Sequence, residues 1–79
     1  MRVLFFGKIA QRAGEGREVD AAAFSTVAEV TDFLCEDPDL AELLRSPAVV
    51  TVLDDVVVKG AAPIASAKEL AYLPPISGG

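Results

Sequence analysis

The sequence contains no histidine and no tryptophan, and its only cysteine is Cys35. Without histidine there is no Ser-His or Cys-His nucleophile pair and no histidine-ligated metal. A single cysteine excludes an internal disulfide and a CxxC redox motif, and it agrees with a reducing compartment. No stretch has the GxxxxGK[ST] pattern that binds nucleotide phosphates. The side chains are therefore poor candidates for the reacting groups of an enzyme.

Basic residues and long apolar runs are also scarce. Seven basic against twelve acidic residues give a formal net charge of −5, which disfavours binding to a nucleic-acid backbone. No apolar run approaches the roughly 18 residues of a membrane-spanning helix. The apolar stretch after Met1-Arg2 is too short for a signal peptide. The sequence therefore predicts a cytoplasmic protein with no nucleic-acid or membrane partner, and its charge favours a basic groove on a protein partner.

Apolar side chains, in contrast, are abundant. The 79 residues suffice for one small domain. A domain of this size buries only about 60% of the surface that its unfolded chain exposes, so its core must be rich in apolar residues. A hydrophobic content of 52% supplies such a core and excludes a disordered chain.

Short segments rich in β-forming residues occur at several points along the chain. Strands are predicted at residues 2–6, 17–20, 48–53, 56–59 and 69–73. The pair Asp54-Asp55 between two β-branched runs predicts a tight hairpin turn. A short helical turn is predicted at residues 8–13.

The main helix is predicted to begin after Thr26. Thr26 and Glu29 have the spacing of a capping box, with the Thr26 hydroxyl on the Glu29 N–H and the Glu29 side chain reaching back. Four residues at helical spacing then predict one buried stripe: Val27, Val30, Phe33 and Leu34.

A second, shorter helix is signalled by Asp37 as N-cap and Pro38 at the first helical position. Its predicted buried side consists of Leu40, Leu43 and Leu44. One main helix on one face of a mixed sheet of about five strands is the β-grasp, or ubiquitin-like, pattern of the α+β class. The predicted organisation is a β-grasp domain over residues 1–73 and an extended tail over residues 74–79.

The tail contains the residues that point most directly to a function. Pro74 and Pro75 end the sheet and hold the backbone near the extended polyproline II conformation. Residues 74–79 span roughly 18–20 Å at about 3.1–3.3 Å per residue, which is long enough to enter another protein's active site. Gly78 and Gly79 have no Cβ, so they pass through a tunnel that a larger residue would block.

The reacting group at such a tip is the α-carboxylate of Gly79. A carboxylate is a poor electrophile until it is converted to an acyl-adenylate, after which sulfur or an amine attacks it. The alternative interpretation is that a glycine-rich chain end is frayed and has no role.

Three segments carry a resemblance to a known family: Val3-Leu4-Phe5-Phe6-Gly7, Thr26-Val27, and the end of the chain from Tyr72 to Gly79. Together they resemble the small subunit of molybdopterin synthase, the MoaD family. The resemblance covers essentially the whole length. Its most specific element is the Pro-Pro-Ile-Ser-Gly-Gly ending, which matches the pattern P-P-[VI]-S-G-G.

The resemblance implies a sulfur-carrier cycle. An activating enzyme uses ATP to adenylate Gly79, and a sulfur donor converts it to a thiocarboxylate. The tail, with Pro74, Pro75, Ser77 and Gly78, then enters the large synthase subunit, where two carriers supply the dithiolene sulfurs of molybdopterin. This chain would be the non-catalytic subunit of a heterotetramer with two small and two large subunits, and it would bind no cofactor itself.

Other functions remain open at this point. The chain is also compatible with a sulfur carrier for thiamine, cysteine or a thiolated nucleotide, a protein modifier that forms isopeptide bonds through Gly79, or a plain interaction domain. Carriers of the thiamine type usually lack the Pro-Pro segment, which favours molybdopterin.

Phe6 and Leu73 are the candidate partner-binding residues. Phe5 and Phe6 are adjacent in a strand, so they point to opposite faces, and one of them is free to form an apolar docking surface with Leu73. The alternative is that Phe6 and Leu73 are both ordinary core residues. Cys35 is predicted to be a partly buried filler with no basic neighbour to lower its pKa.

Overall fold

The computed structural model describes residues 1–74, and the predictions made for residues 75–79 lie outside this part of the chain. Residues 1–74 form one five-stranded sheet in the order β2-β1-β5-β3-β4. The central strands β1 and β5 are parallel, and the other neighbouring strands are antiparallel. The strands are β1 (Arg2–Phe5), β2 (Gly16–Glu18), β3 (Val50–Leu53), β4 (Val56–Val58) and β5 (Glu69–Leu73).

Within residues 1–74, three short helices accompany the sheet, together with a 3₁₀ turn at Ala21–Ala23. They are α1 (Gly7–Ala13), α2 (Val27–Leu34) and α3 (Pro38–Leu44). The predicted β-grasp fold is therefore confirmed, although α3, with 7 residues, is almost as long as α2, with 8. The Asp37 carboxylate accepts a hydrogen bond from the Asp39 N–H at 2.9 Å, and Pro38 begins α3 as predicted.

The core lies between the sheet and the helices. Strand β5 is central to it because it pairs with β1 on one side and β3 on the other. Leu70 and Tyr72 of β5 are buried on the face that the helices cover. They pack with Val3, Phe5, Ile9, Val19, Val27, Val30, Leu34, Leu40, Leu44 and Ile64.

At the start of α2, only one of the two hydrogen bonds of the predicted capping box is present. The Thr26 hydroxyl accepts from the Glu29 N–H at 3.3 Å, as predicted. The Glu29 carboxylate, however, accepts from the N–H of Ser25 at 2.6 Å. Both bonds satisfy backbone N–H groups at the helix start, so the capping function is kept with a shifted partner.

The predicted apolar stripe of α2 is wrong at Phe33. Val27, Val30 and Leu34 are buried, but the Phe33 side chain is 45% exposed. At about 100° per residue, Phe33 lies roughly 90° around the helix from the centre of the other three positions. Its ring packs instead against Phe24, with ring centroids 5.3 Å apart. In α3, Leu40 and Leu44 are buried and Leu43 is half-buried.

The predicted Asp-Asp hairpin turn joins β3 to β4. Asp54 and Asp55 have φ values of 45° and 71°, as a two-residue turn of the I′ type requires. The Asp54 carboxylate also accepts hydrogen bonds from the N–H groups of Lys68 at 3.0 Å and Glu69 at 2.9 Å. Asp54 thus links the turn to the start of β5 through hydrogen bonds.

We expect Asp54→Ala to lower the free energy of unfolding by about 2 kcal/mol, because it leaves two backbone N–H groups without their carboxylate partner. Asp55→Ala is the matched control, since Asp55 also has a positive φ but accepts no hydrogen bond within residues 1–74. Urea denaturation of both variants measures the difference. Equal losses would assign the effect to backbone strain rather than to the hydrogen bonds.

Tyr72 is the one tyrosine, and it lies in the core. Its hydroxyl is 2.7 Å from the Thr31 hydroxyl, and its side chain is buried. Burial raises the pKa of Tyr72 to about 12, although the hydrogen bond to Thr31 partly opposes that shift. The unfolded chain therefore loses the Tyr72 proton at a lower pH than the native protein does.

The stability that Tyr72 contributes is present below about pH 10, the ordinary tyrosine pKa, and is lost as the pH rises towards 12. We expect the free energy of unfolding to fall by up to about 1.4 kcal/mol per pH unit in that window. Tyr72→Phe should remove this component of the slope. Denaturation curves of both proteins across that window test the prediction, and identical slopes would contradict it.

Candidate functional site

The described chain ends where Pro74 leaves the sheet and crosses the start of α1. Gly7 begins this helix with a φ of +57°. A β-carbon at Gly7 would lie 2.6 Å from Cγ of Pro74, closer than real contacts allow. The proline ring can rest on this backbone only because Gly7 has no side chain, so Gly7 and Pro74 together form the base of the tail.

Phe6 and Leu73 flank this base. The Phe6 N–H donates to the Tyr72 carbonyl at 3.2 Å, which extends the pairing of β1 with β5 by one step and sets Phe6 beside Leu73. Phe5 is 3% exposed and Phe6 is 45% exposed, so the two rings do point to opposite faces. Leu73 is half-buried. The alternative that Phe6 and Leu73 are both core residues is wrong for Phe6, whereas the partner-binding role of Phe6 and Leu73 stays a prediction.

The sheet face opposite the helices is apolar across four strands. Because Val3 and Phe5 point into the core, Leu4 points away from it, and the strand register places Ala71, Val52 and Val57 in the same row. Val50 pairs with Leu73 in the next row, towards the tail. We call this surface the open face; it comprises Leu4, Phe6, Val50, Val52, Val57 and Leu73, together with Ala71, which is only 6% exposed.

The end of the open face remote from the tail is charged. Arg2 lies opposite Glu18 on one side and Glu69 on the other. Beside Phe6 lies a groove of about 380 Å³, lined by Leu4, Phe5, Phe6, Gly7, Ala10 and Glu15. The end of the open face next to the tail, with Phe6, Val50 and Leu73, is the more apolar end, with Glu15 and Lys59 at its margins. An apolar patch with a polar margin is typical of a protein-docking surface.

The described side chains do not form a metal centre. Residues 1–74 contain no group of three or more histidine, cysteine, aspartate or glutamate side chains placed to hold a metal ion. No helix in this part of the chain is long and apolar enough to cross a membrane.

Cys35 is half-buried at the C-terminal end of α2. Burial raises the pKa of the Cys35 thiol, and this effect outweighs the opposing influence of Arg45. The prediction that no basic residue lies nearby is thus wrong, because α3 brings Arg45 to this point, where it also pairs with Asp32 at 2.9 Å. A half-buried thiol with a raised pKa is a weak nucleophile, in agreement with the filler interpretation.

Among the predicted site residues, the structure brings Phe6, Leu73 and Pro74 together at one end of the sheet. Pro75, Ser77, Gly78 and Gly79 lie outside the described residues. The sequence reasoning missed Gly7, whose role depends on Pro74 lying against it. It also missed the full extent of the open face, although the prediction that Phe5 and Phe6 point to opposite faces of the first strand was the signal for it.

Comparisons with known proteins bear on the family and the fold of the chain. The sequence model of the ThiS family matches residues 3–79. Among solved structures, the chain is similar to SAMP1 from Haloferax volcanii, known from a crystal structure, with 24% sequence identity and a TM-score of 0.73. The match covers 99% of this chain and 97% of that chain, and at this identity it shows the fold. No curated protein matches the sequence.

Proposed function

We propose that this chain, which belongs to the ThiS family of ubiquitin-like sulfur carriers, supplies sulfur for the synthesis of molybdopterin. The sulfur is carried as a thiocarboxylate on Gly79. The observation that carries the proposal is the Pro-Pro-Ile-Ser-Gly-Gly ending, which directly follows the central strand β5. The chain acts as the sulfur-carrying subunit, and its partners supply the catalytic side chains.

The proposed chemistry has two steps before transfer. A carboxylate oxygen of Gly79 attacks the α-phosphorus of ATP in the activating enzyme, and pyrophosphate leaves. Hydrosulfide from the donor then attacks the acyl-adenylate carbon: the C–S bond forms, the C–O bond to AMP breaks, AMP leaves and the sulfur-bound proton passes to solvent. The resulting thiocarboxylate is the nucleophile that delivers sulfur inside the large synthase subunit. The sequence contains no histidine, which agrees with this proposal, because the chain carries the sulfur and the partner supplies the general base.

The geometry at the base of the tail supports the proposal. Pro74 rests on Gly7, and the apolar end of the open face, with Phe6 and Leu73, lies next to it. A partner that covers this surface takes up residues 75–79 in the same docking step. Binding at the surface thus positions the reacting carbon in the partner's active site, where orientation contributes much of the rate.

The test measures the intact mass of the protein after incubation with its activating enzyme, ATP and a sulfur donor. We expect the mass increase produced by exchanging one oxygen atom for one sulfur atom. The loaded protein is then mixed with the large synthase subunit and the molybdopterin precursor, and we expect molybdopterin to form. An unchanged mass with an active enzyme would contradict the carrier function itself.

The second candidate is transfer of sulfur to a different product, namely thiamine, cysteine or a thiolated nucleotide. The match to the ThiS family is compatible with this second candidate, because it identifies a sulfur carrier but not the molecule that accepts the sulfur. Loading without molybdopterin formation would support this candidate. Recovery of Gly79 joined to lysine side chains of many proteins would instead support a protein modifier.

A further inference from the structure

Strand β4 lies at one edge of the sheet, with β3 as its only neighbouring strand in residues 1–74. Two of its three residues are largely exposed valines, Val56 at 61% and Val57 at 68%. An exposed apolar edge strand presents unpaired backbone groups that readily pair with a strand of another chain. The opposite edge, β2, carries Arg17 and Glu18 and is the more polar of the two.

The hairpin turn determines which backbone groups of β4 point outwards. In a two-residue turn the flanking residues, Leu53 and Val56, form a hydrogen-bonded pair. Hydrogen-bonded pairs alternate along an antiparallel ladder, so Val58 again bonds inwards, and its carbonyl also accepts from the Thr51 hydroxyl at 2.7 Å. The N–H and C=O of Val57 therefore point away from the sheet and are available to a further strand.

We propose that β4 pairs antiparallel with β4 of a second copy of this chain, with the two Val57 residues facing each other. The two Val57 backbones then exchange two hydrogen bonds, and the two sheets join into one of ten strands. This pairing takes place in the free protein and is independent of the sulfur chemistry.

The charged residues on either side of β4 favour antiparallel pairing with a second copy. Asp55 precedes the strand and Lys59 follows it. A two-fold axis at Val57 places Lys59 of each copy opposite Asp55 of the other, which gives two attractive cross-strand pairs. In residues 1–74 neither Asp55 nor Lys59 takes part in an ion pair, whereas Asp54 is held by the start of β5. Parallel pairing in register would set like charges against each other.

The open face supports the same arrangement. Val57 ends the apolar row that runs through Leu4, Ala71 and Val52. Pairing at Val57 joins the rows of the two copies into one continuous apolar band. Because the edge is short, the interface is far smaller than the roughly 1,600 Å² typical of stable complexes, so we expect a weak dimer that forms at high protein concentration.

Sedimentation equilibrium across a concentration series tests the proposal with two single variants, Asp55→Lys and Lys59→Asp. We expect the wild-type mass to rise from 8.2 kDa towards twice that value. Each single variant faces a copy of itself with like charges at both ends, so its dimerisation should weaken by about tenfold or more. An equimolar mixture of the two variants restores both attractive pairs and should dimerise like the wild type.

Several outcomes would overturn the proposal: a wild-type protein that stays monomeric, single variants that still dimerise, or a mixture that stays monomeric. Lysine at Asp55 must adopt a positive φ, which reduces stability. If that variant does not fold, Asp55→Asn is used, since asparagine tolerates this backbone. It should weaken the dimer severalfold, and an unchanged dimer would again reject the proposal.

Discussion

Replacing Gly78 with valine is expected to stop sulfur transfer while leaving the domain folded. Under the proposed function, the tail enters a tunnel in the partner that admits a chain end without side chains. A β-branched side chain at residue 78 holds the Gly79 carbon out of position, and a displacement of about 1 Å is enough to cost on the order of a hundredfold in rate. The described core ends at Tyr72, so the free energy of unfolding should remain within about 0.5 kcal/mol of the wild-type value.

The measurement separates loading from transfer. Intact mass after treatment with the activating enzyme reports loading, and molybdopterin formation in a single turnover reports transfer. Gly78→Ala is the graded control, because its single methyl group should give an intermediate rate. Normal molybdopterin production by Gly78→Val would remove the steric argument for the di-glycine end.

Most elements of the fold could be predicted because they have a local signal in the sequence, although the 3₁₀ turn at Ala21–Ala23 was not predicted and β3 begins at Val50 rather than at residue 48. Strand β5 was predicted with its observed bounds, Glu69–Leu73, since it is a short apolar run that prolines terminate. The start of α3 follows from Asp37 and Pro38, whose capping roles depend only on neighbouring residues. The Asp54-Asp55 turn follows from its place between two β-branched runs.

The errors concern features that depend on how distant elements pack. Phe33 has helical spacing relative to the buried residues of α2, but whether the edge of an apolar stripe is covered depends on its neighbours, and here Phe24 covers it only partly. Arg45 reaches Cys35 because α3 folds back on α2, which the spacing of residues along the chain does not show. In both cases the surroundings of the residue depend on how separate elements pack against each other.

The surroundings of the candidate site residues likewise depend on tertiary packing. Strand alternation predicted that Phe5 and Phe6 lie on opposite faces, but it did not determine which face the helices cover. The structure buries Phe5 and leaves Phe6 beside Leu73. Gly7 was unremarkable in the sequence because its role arises from a contact with a residue 67 positions later, Pro74.

That contact leads to the second large effect: Gly7→Ala should impair sulfur transfer by about tenfold or more, even in the fraction of protein that is folded. The added β-carbon would lie 2.6 Å from Cγ of Pro74, so Pro74 must move, and the tail that follows it changes direction. The substitution also places alanine at a φ of +57°, which costs roughly 1–2 kcal/mol of stability. Transfer is measured below the unfolding transition, with thermal unfolding recorded in parallel.

Gly14→Ala supplies the matched control at the other end of the same helix. Gly14 also has a positive φ, +87°, but a β-carbon there has no neighbour within 4 Å. Its backbone conformation is at least as unfavourable for alanine, so both variants lose stability, yet only Gly7→Ala displaces Pro74. We therefore expect Gly14→Ala to transfer sulfur at the wild-type rate once folded. Equal rates for the two variants would mean that the partner, and not the contact between Gly7 and Pro74, sets the direction of the tail.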